Sequence, residues 1–227
     1  MKITVSKENY LKTIAEAESE GENVKAAVLS RRLAVSAPAV TMAIKRLKRD
    51  ALIEVAAEGQ VTLTPAGREI AERLLNRHHL IERMLAEVFG MEWYKVHEEA
   101  EQLEHAVSAD FERKLIEKLG DGGACPHGNR VGMDTPEARR RRGLRPLDEV
   151  CAGETVVVAS VYERDRAFLE RLELLGIRPG AALAVRNGDE CEVVEVGGRP
   201  VELARPLAAR IWVAAGRDRV LGPQGSS

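Results

Sequence analysis

The stretch S-A-P-A-V-T-M-A-I-K-R-L-K-R-D, Ser36 to Asp50, limits what this chain can fold into more than any other. Ser36 is a candidate N-cap, Pro38 falls in the first turn where its missing N–H costs little, and Val40, Ile44 and Leu47 recur on one inward face. The outward positions end in Lys45, Arg46, Lys48 and Arg49, so a helix with a small, neutral N-terminal half finishes basic. Ahead of it lie an amphipathic helix from Ser6 to about Glu20, with Ser6 as cap and Tyr10, Leu11, Ile14 and Ala17 as buried stripe, and a shorter helix over Val24 to Leu33. Behind it come two short strand candidates, Leu52 to Ala56 and Gln60 to Leu63, ended by Thr64-Pro65. Helix, helix, short turn, basic helix and hairpin is the order of a winged helix-turn-helix, whose second paired helix enters the major groove while the wing touches the flanking backbone. Ser36, Pro38, Ala39, Thr41, Met42, Lys45, Arg46 and Arg49 are the candidate DNA surface. Ser36, Ala39, Thr41 and Met42 suit base edges, with Thr41 or Met42 meeting a thymine methyl, and the cations suit phosphates. So weakly polar a reading face predicts that much specificity comes from DNA shape.

A second feature asks for a cation. In K-V-H-E-E-A-E-Q-L-E-H, Lys95 to His105, the residues His97, Glu101, Glu104 and His105 share one side of a helix at roughly 100° per residue. Upstream, R-H-H-L-I-E-R presents His78 and Glu82 at i and i+4. Glu and His on one helix ordinarily form a solvated face. Six donors on two neighbouring helices, interrupting the apolar stripes of Leu80, Ile81, Met84, Leu85 and Val88 and of Val96, Ala100, Leu103 and Val107, argue instead for one or two enclosed metal ions.

With 227 residues and a net charge of -2, the chain has room for more than one domain but is no polycation, so any nucleic-acid surface must be local. Cys125, Cys151 and Cys191 are odd in number, widely spaced and without a C-x-x-C pair, which excludes a disulfide framework and a zinc ribbon and reads as reduced, structural thiols. Cys125 and His127, in C-P-H-G, are taken as loop residues because no second ligand pair lies nearby. The N-terminus lacks the apolar core of a signal peptide and no run approaches a membrane span, so a cytoplasmic protein without a membrane partner is expected.

Pro65 opens a long amphipathic helix to about Phe89, followed by helices over Trp93 to Ser108 and Ala109 to Leu119. Leu74, Leu75, Leu80, Ile81, Leu85, Trp93 and Leu103 are candidates for a homodimer interface that would set two recognition helices about one DNA turn apart. Gly120 to Gly143 is Gly-rich, charged and aperiodic, and its Arg139 to Arg142 run is read as a solvated linker face. Beyond it, strands over Thr155 to Val161, Ala182 to Arg186, Glu190 to Val196, Pro200 to Leu203 and Ala209 to Val213 surround a helix, Asp165 to Leu175, and suggest a small β-barrel of the Src-homology-3-like kind. The expected fold is mainly α with small β parts. Its domains are a winged helix-turn-helix (1–70), a helical metal-binding and dimerisation domain (71–122), a linker (123–147), a regulatory barrel (148–217) and a disordered tail (218–227).

The basic helix, the R-H-H-L-I-E-R and K-V-H-E-E-A-E-Q-L-E-H segments, the C-P-H-G-N loop and a terminal barrel carrying L-G-I-R-P-G together resemble the diphtheria-toxin-repressor family of metal-dependent transcriptional repressors. The resemblance covers nearly the whole chain. It implies a homodimer that takes up a divalent metal, grips a palindromic operator on double-stranded DNA and shuts down metal-uptake genes. It also implies that His78, Glu82 and His97 match one family metal site, that Glu101, Glu104 and His105 match the other with Asn9 as first-helix ligand, and that Asp165 lies near a barrel ligand of iron-type members. Glu101 stands where iron-responsive members place sulfur, which resembles the manganese-responsive branch, whereas Asn9 and Lys12 stand where that branch tends to place carboxylates.

Donor chemistry leans the same way, since carboxylate, imidazole and amide oxygen suit a hard or borderline ion, and with selectivity left to coordination number and cellular availability manganese(II) is preferred, then iron(II). The expectation is therefore a manganese(II)-activated repressor, in which metal relieves repulsion among Glu82, Glu101 and Glu104 and supplies the first helix with a tether it otherwise lacks. The alternatives are an iron(II)-dependent repressor of the same kind and a metal-independent winged-helix regulator answering to a small molecule or partner. An enzyme is not expected, because a di-metal hydrolase or oxygenase would leave the winged helix unexplained.

Overall fold

A computed structural model describes residues 3–130, 134–187 and 191–216. The chain divides into two compact units, one running to Pro126 and including Arg130–Ala138, the other formed by His127–Asn129 and the chain from Arg139.

In the first unit, α1 (Val5–Ser19) begins one residue earlier than expected and is capped by Thr4, whose hydroxyl accepts from Lys7 N at 3.4 Å, which leaves Ser6 inside the first turn. Helix α2 (Ala26–Leu33) ends on Ala34 in the left-handed region, and α3 (Ala37–Arg49) follows at a bend of 115°, a helix-turn-helix angle. Ser36 holds the N-cap position of α3, but its side chain makes no capping bond. Strands β1 (Ile53–Val55) and β2 (Val61–Leu63) pair antiparallel as the wing. Leu11, Ile14, Leu29, Val40, Leu47, Ile53 and Val61 close the core beneath them. Helix α4 (Pro65–Arg83) starts on a Thr64 cap, and Gly67 lets it press against the wing, since a Cβ there would meet the Leu52 carbonyl oxygen at 2.0 Å.

Two helical expectations need correction. The long helix does not run unbroken to Phe89, because Met84–Val88 widens into a π-turn, a feature often found beside functional sites. Nor is there one helix from Trp93 to Ser108. Helix α5 spans only Val96–Leu103, so Glu104 and His105 lie in the turn after it, before α6 (Ala109–Leu119) begins on a Ser108 cap. The expected dimer stripe is also revised, since Leu74, Leu75, Leu80, Ile81 and Leu85 are buried within the unit, while Val88, Phe89, Leu103 and Phe111 stay exposed. The segment expected as an aperiodic linker contains a short helix, α7 (Pro136–Arg141).

The second unit is a small antiparallel barrel-like sheet in the order β3-β8-β4-β5-β6-β7. Its strands are β3 (Arg145–Pro146), β4 (Thr155–Val161), β5 (Ala182–Asn187), β6 (Cys191–Val196), β7 (Arg199–Ala204) and β8 (Ile211–Ala215), with α8 (Arg166–Leu175) inserted after β4 and α9 (Arg205–Ala208) before β8. The last strand starts at Ile211 rather than Ala209 because α9 occupies the preceding residues. Val156, Val158, Leu169, Leu172, Leu183, Leu203 and Val213 fill its core. The Arg139 and Arg140 guanidiniums stand 5.2 and 5.7 Å over the Trp212 ring, so part of the arginine run packs on this unit. The expected tail, 218–227, lies outside the described residues, among which no single helix is long and apolar enough to cross a membrane.

Candidate metal centre

Helix α4 sends His78 and Glu82 inward from adjacent turns, and α5, packed against it, sends His97 toward them. His78 Nε2, Glu82 Oε1 and His97 Nδ1 form a triangle whose three sides are each 3.0 Å. The three residues are almost fully buried. The three donor atoms thus converge closely enough to ligate one divalent ion.

The other half of the expected cluster is built differently. Lys12 of α1 is buried, and its Nζ donates to both Glu104 oxygens, at 3.0 and 2.7 Å, while lying 3.0 Å from His78 Nδ1 and 3.9 Å from Glu16. Glu8 reaches His105 Nδ1 at 3.1 Å. The first helix is therefore already tied to the Glu104–His105 turn by two polar contacts, which corrects the expectation that it has no tether without a metal. Glu8, Lys12 and Glu16 repeat every four residues along α1, a face that the sequence signalled and that the reading from ligand motifs alone passed over.

The electrostatics follow from this packing. Burial and the Lys12 charge work against the His78 imidazolium, yet Glu82 and Glu104 outweigh them and push its pKa up to about 9. For Lys12, burial pulls downward and is overcome by Glu16 and Glu104, leaving the ammonium favoured. Glu104 is raised by burial and lowered more by His78 and Lys12, so its carboxylate is held below the ordinary range. This half of the cluster is a neutralised ion network with a resident cation.

The remaining candidates fall outside both groupings. Glu101 is largely solvent-facing, its Oε1 3.7 Å from His97 Nε2. Asn9 is half-buried and its side chain makes no hydrogen bond among the described residues, contact with the turn passing through Glu8 and Lys12 instead. Asp165 serves its own unit, since Oδ1 caps α8 by accepting from Phe168 N at 3.0 Å and Oδ2 accepts from Arg210 Nη1 at 2.9 Å.

On α3, Ser36, Pro38, Ala39, Thr41, Met42, Lys45, Arg46 and Arg49 are all exposed and together line one outward surface. Thr41 Oγ1 donates to the Ala37 carbonyl at 2.9 Å, which leaves its methyl outward, and Met42 is 49% exposed. Arg49 Nε donates to Asp50 at 3.2 Å, while the inward Val40 and Leu47 anchor the helix.

Comparison with known proteins matches three successive stretches of the chain. Residues 2–61 match the iron dependent repressor N-terminal DNA binding domain, residues 64–131 the iron dependent repressor metal binding and dimerisation domain, and residues 145–215 the FeoA domain. The chain is 32% identical over 215 residues to the diphtheria toxin repressor of Corynebacterium glutamicum, covering 91% of this chain and 94% of that protein. It is 33% identical over 219 residues to the iron-dependent repressor IdeR of Mycobacterium tuberculosis, covering 91% and 95%. Among solved structures, a manganese-dependent transcriptional repressor in complex with manganese superposes with a TM-score of 0.82 at 32% identity, covering 92% of this chain and 99% of that one. ScaR with bound zinc superposes with a TM-score of 0.77 at 29% identity, covering 92% and 99%.

Proposed function

This chain belongs to the diphtheria-toxin-repressor family of metal-dependent transcriptional repressors, and from that premise we propose that it is a homodimeric, manganese(II)-activated repressor acting on palindromic operators of metal-uptake genes in the cytoplasm. The observation that carries the reading is the buried 3.0 Å donor triangle of His78, Glu82 and His97, which turns hard and borderline donors toward one point. These three residues hold one ion per chain, and Lys12 supplies the positive charge at Glu104 in place of a second. Val88, Phe89, Leu103 and Phe111 supply apolar area for dimerisation. Iron(II) is the second candidate ion, favoured by the iron-dependent repressor IdeR and the iron dependent repressor domains that the chain matches.

When bound, the ion supplies a divalent charge that binds His78 Nε2 only in the neutral imidazole form. His78 then carries its remaining proton on Nδ1 and donates it to Glu104 Oε2, 2.7 Å away. Glu104 in turn accepts from Lys12, so the state of His78 is passed to α1, which packs along α4 and contributes to the core beneath α3. The recognition helices are thereby biased toward one spacing about the dimer axis, a shift of population between spacings. Ser36, Ala39, Thr41 and Met42 meet base edges, and Lys45, Arg46 and Arg49 hold phosphates.

The test is retention of fragmented genomic DNA by chelator-stripped protein, with no metal, with manganese(II), and anaerobically with iron(II). Retention of a few fragments only with metal is expected, most strongly with manganese(II). Equal retention in all three conditions would overturn the reading.

A further inference from the structure

Charged side chains fasten α1 to three other parts of its unit. In its first half, Glu8 and Lys12 reach His105 and Glu104 in the turn beside the metal centre. At its C-terminal end, Glu18 accepts from Leu63 N of the wing at 3.4 Å and from Arg68 Nη2 of α4 at 3.0 Å. At its N-terminal end, Lys7 Nζ donates to Asp50 Oδ2 at 2.6 Å, and Asp50 is the residue that ends α3. The other Asp50 oxygen accepts from Arg49 Nε at 3.2 Å, so this junction adjoins a cation of the DNA-facing surface.

The pair runs against the electrostatics of both helices it joins. Lys7 puts a cation in the first turn of α1, where unpaired N–H groups give a positive partial charge, and Asp50 puts a carboxylate at the C-cap of α3, where unpaired carbonyls give a negative one. Each charge taken alone disfavours its own helix. Neighbouring residues follow the usual rule, with Glu8 in the first turn of α1 and Arg46, Lys48 and Arg49 in the last turn of α3. Both members of the pair are half-buried, and an ion pair so open to solvent adds little to global stability. What it does add is a fixed distance between two helices.

We propose that Lys7 and Asp50 are positioning residues that couple the metal centre to the recognition helix. When the Glu104–His105 turn draws on α1, Lys7 carries the end of α3 with it, and the DNA-facing cations move as part of that end. This rests on the metal-gated reading and adds the contact through which the gate acts.

Operator affinity of the full-length chain is measured by fluorescence anisotropy in chelator and in saturating manganese(II), for the native protein, Lys7→Met, Lys7→Arg, Asp50→Asn and the double variant Lys7→Met with Asp50→Asn. Manganese affinity and the chemical denaturation of the ion-free protein are measured on the same preparations. The gain in operator affinity produced by manganese is expected to fall about tenfold in Lys7→Met and in Asp50→Asn, and by no more than that in the double variant, since the two residues act as one contact. Lys7→Arg, which keeps the charge, is expected to keep the gain. Manganese affinity should stay within about threefold of native throughout, and the denaturation midpoint should hold, because each single change also removes a charge opposed to its helix dipole. A merely structural pair would instead lower the midpoint and weaken operator binding equally with and without metal, which would overturn the proposal. A native gain that both single variants retain, or one lost as fully in Lys7→Arg as in Lys7→Met, would overturn this proposal alone. A native chain that gains nothing from manganese would overturn both it and the reading it rests on.

Discussion

The two halves of the His/Glu cluster use the same residue types and do opposite things. On the α4–α5 side, His78, Glu82 and His97 turn three donor atoms toward one point, and the mutual 3.0 Å separations leave their repulsion to be relieved by a proton or a cation. On the α1 side, Glu104 faces an ammonium that already gives it two hydrogen bonds, with Glu16 close behind. A ligand motif is therefore only half of a metal site. The other half is the charge that neighbouring elements bring: Lys12, 92 residues from Glu104 in sequence, gives each of its carboxylate oxygens a hydrogen bond. A carboxylate so paired stabilises the ion-free fold, whereas an uncompensated one would make folding depend on metal.

The largest effect expected from disturbing this contrast comes from Lys12→Met. Removing the ammonium leaves Glu104 buried with only His78 and His105 beside it, which should cost the ion-free protein about 3 kcal/mol in chemical denaturation. The same variant should bind a second divalent ion per chain, measured by elemental analysis after gel filtration. Unchanged stability and stoichiometry would break the contrast. Next is His97→Ala, which touches the triangle without touching Lys12. Its manganese affinity should fall on the order of 100-fold, about 2.7 kcal/mol, in competition titrations, with the ion-free fold intact.

pH supplies a third, smaller handle. His78 is raised in the folded state from 6.5 to about 9, so its imidazolium contributes stability that is fully present below about pH 6.5 and is lost as pH rises through about 9. A ligand at His78 Nε2 must displace that proton, so manganese affinity should rise about tenfold per pH unit up to about pH 9, with proton release measurable in weakly buffered solution. Affinity flat between pH 7 and pH 8.5 would place the ion away from His78. The smallest effect is expected from Glu101→Gln, because its side chain is 46% exposed and 3.7 Å from His97. Affinity should change by less than about threefold, as for other solvent-screened charges. A tenfold loss would bring Glu101 into the ligand set.

What the sequence made legible was local. Ser36, Pro38 and the apolar spacing of Val40 and Leu47 announced a helix because capping, first-turn geometry and periodicity all act within one or two turns. Thr155–Val161 was equally readable as an alternating, β-branched run. Glu104 and His105 were placed on the wrong side of a helix end because the α5 turn at Leu103–Ala106 is set by tertiary packing, which periodicity does not register. Lys12 could be excluded as a ligand from its chemistry, but its pairing with Glu104 depends on how α1 lies on α4. Asp165 looked like a spare oxygen donor and proved to be a helix cap, a role that a sequence offers at any Asp preceding an apolar run.

The central claim is that a cation at His78, Glu82 and His97 gates DNA binding. It is tested most directly by titrating manganese(II) into the chelator-stripped protein while measuring bound metal and the anisotropy of a labelled operator fragment together, for the native chain and His97→Ala. The account predicts that operator binding grows with the first equivalent of manganese per chain and is absent in His97→Ala at the same metal concentration. Equal operator affinity in chelator and in manganese, or undiminished metal-dependent binding by His97→Ala, would contradict it.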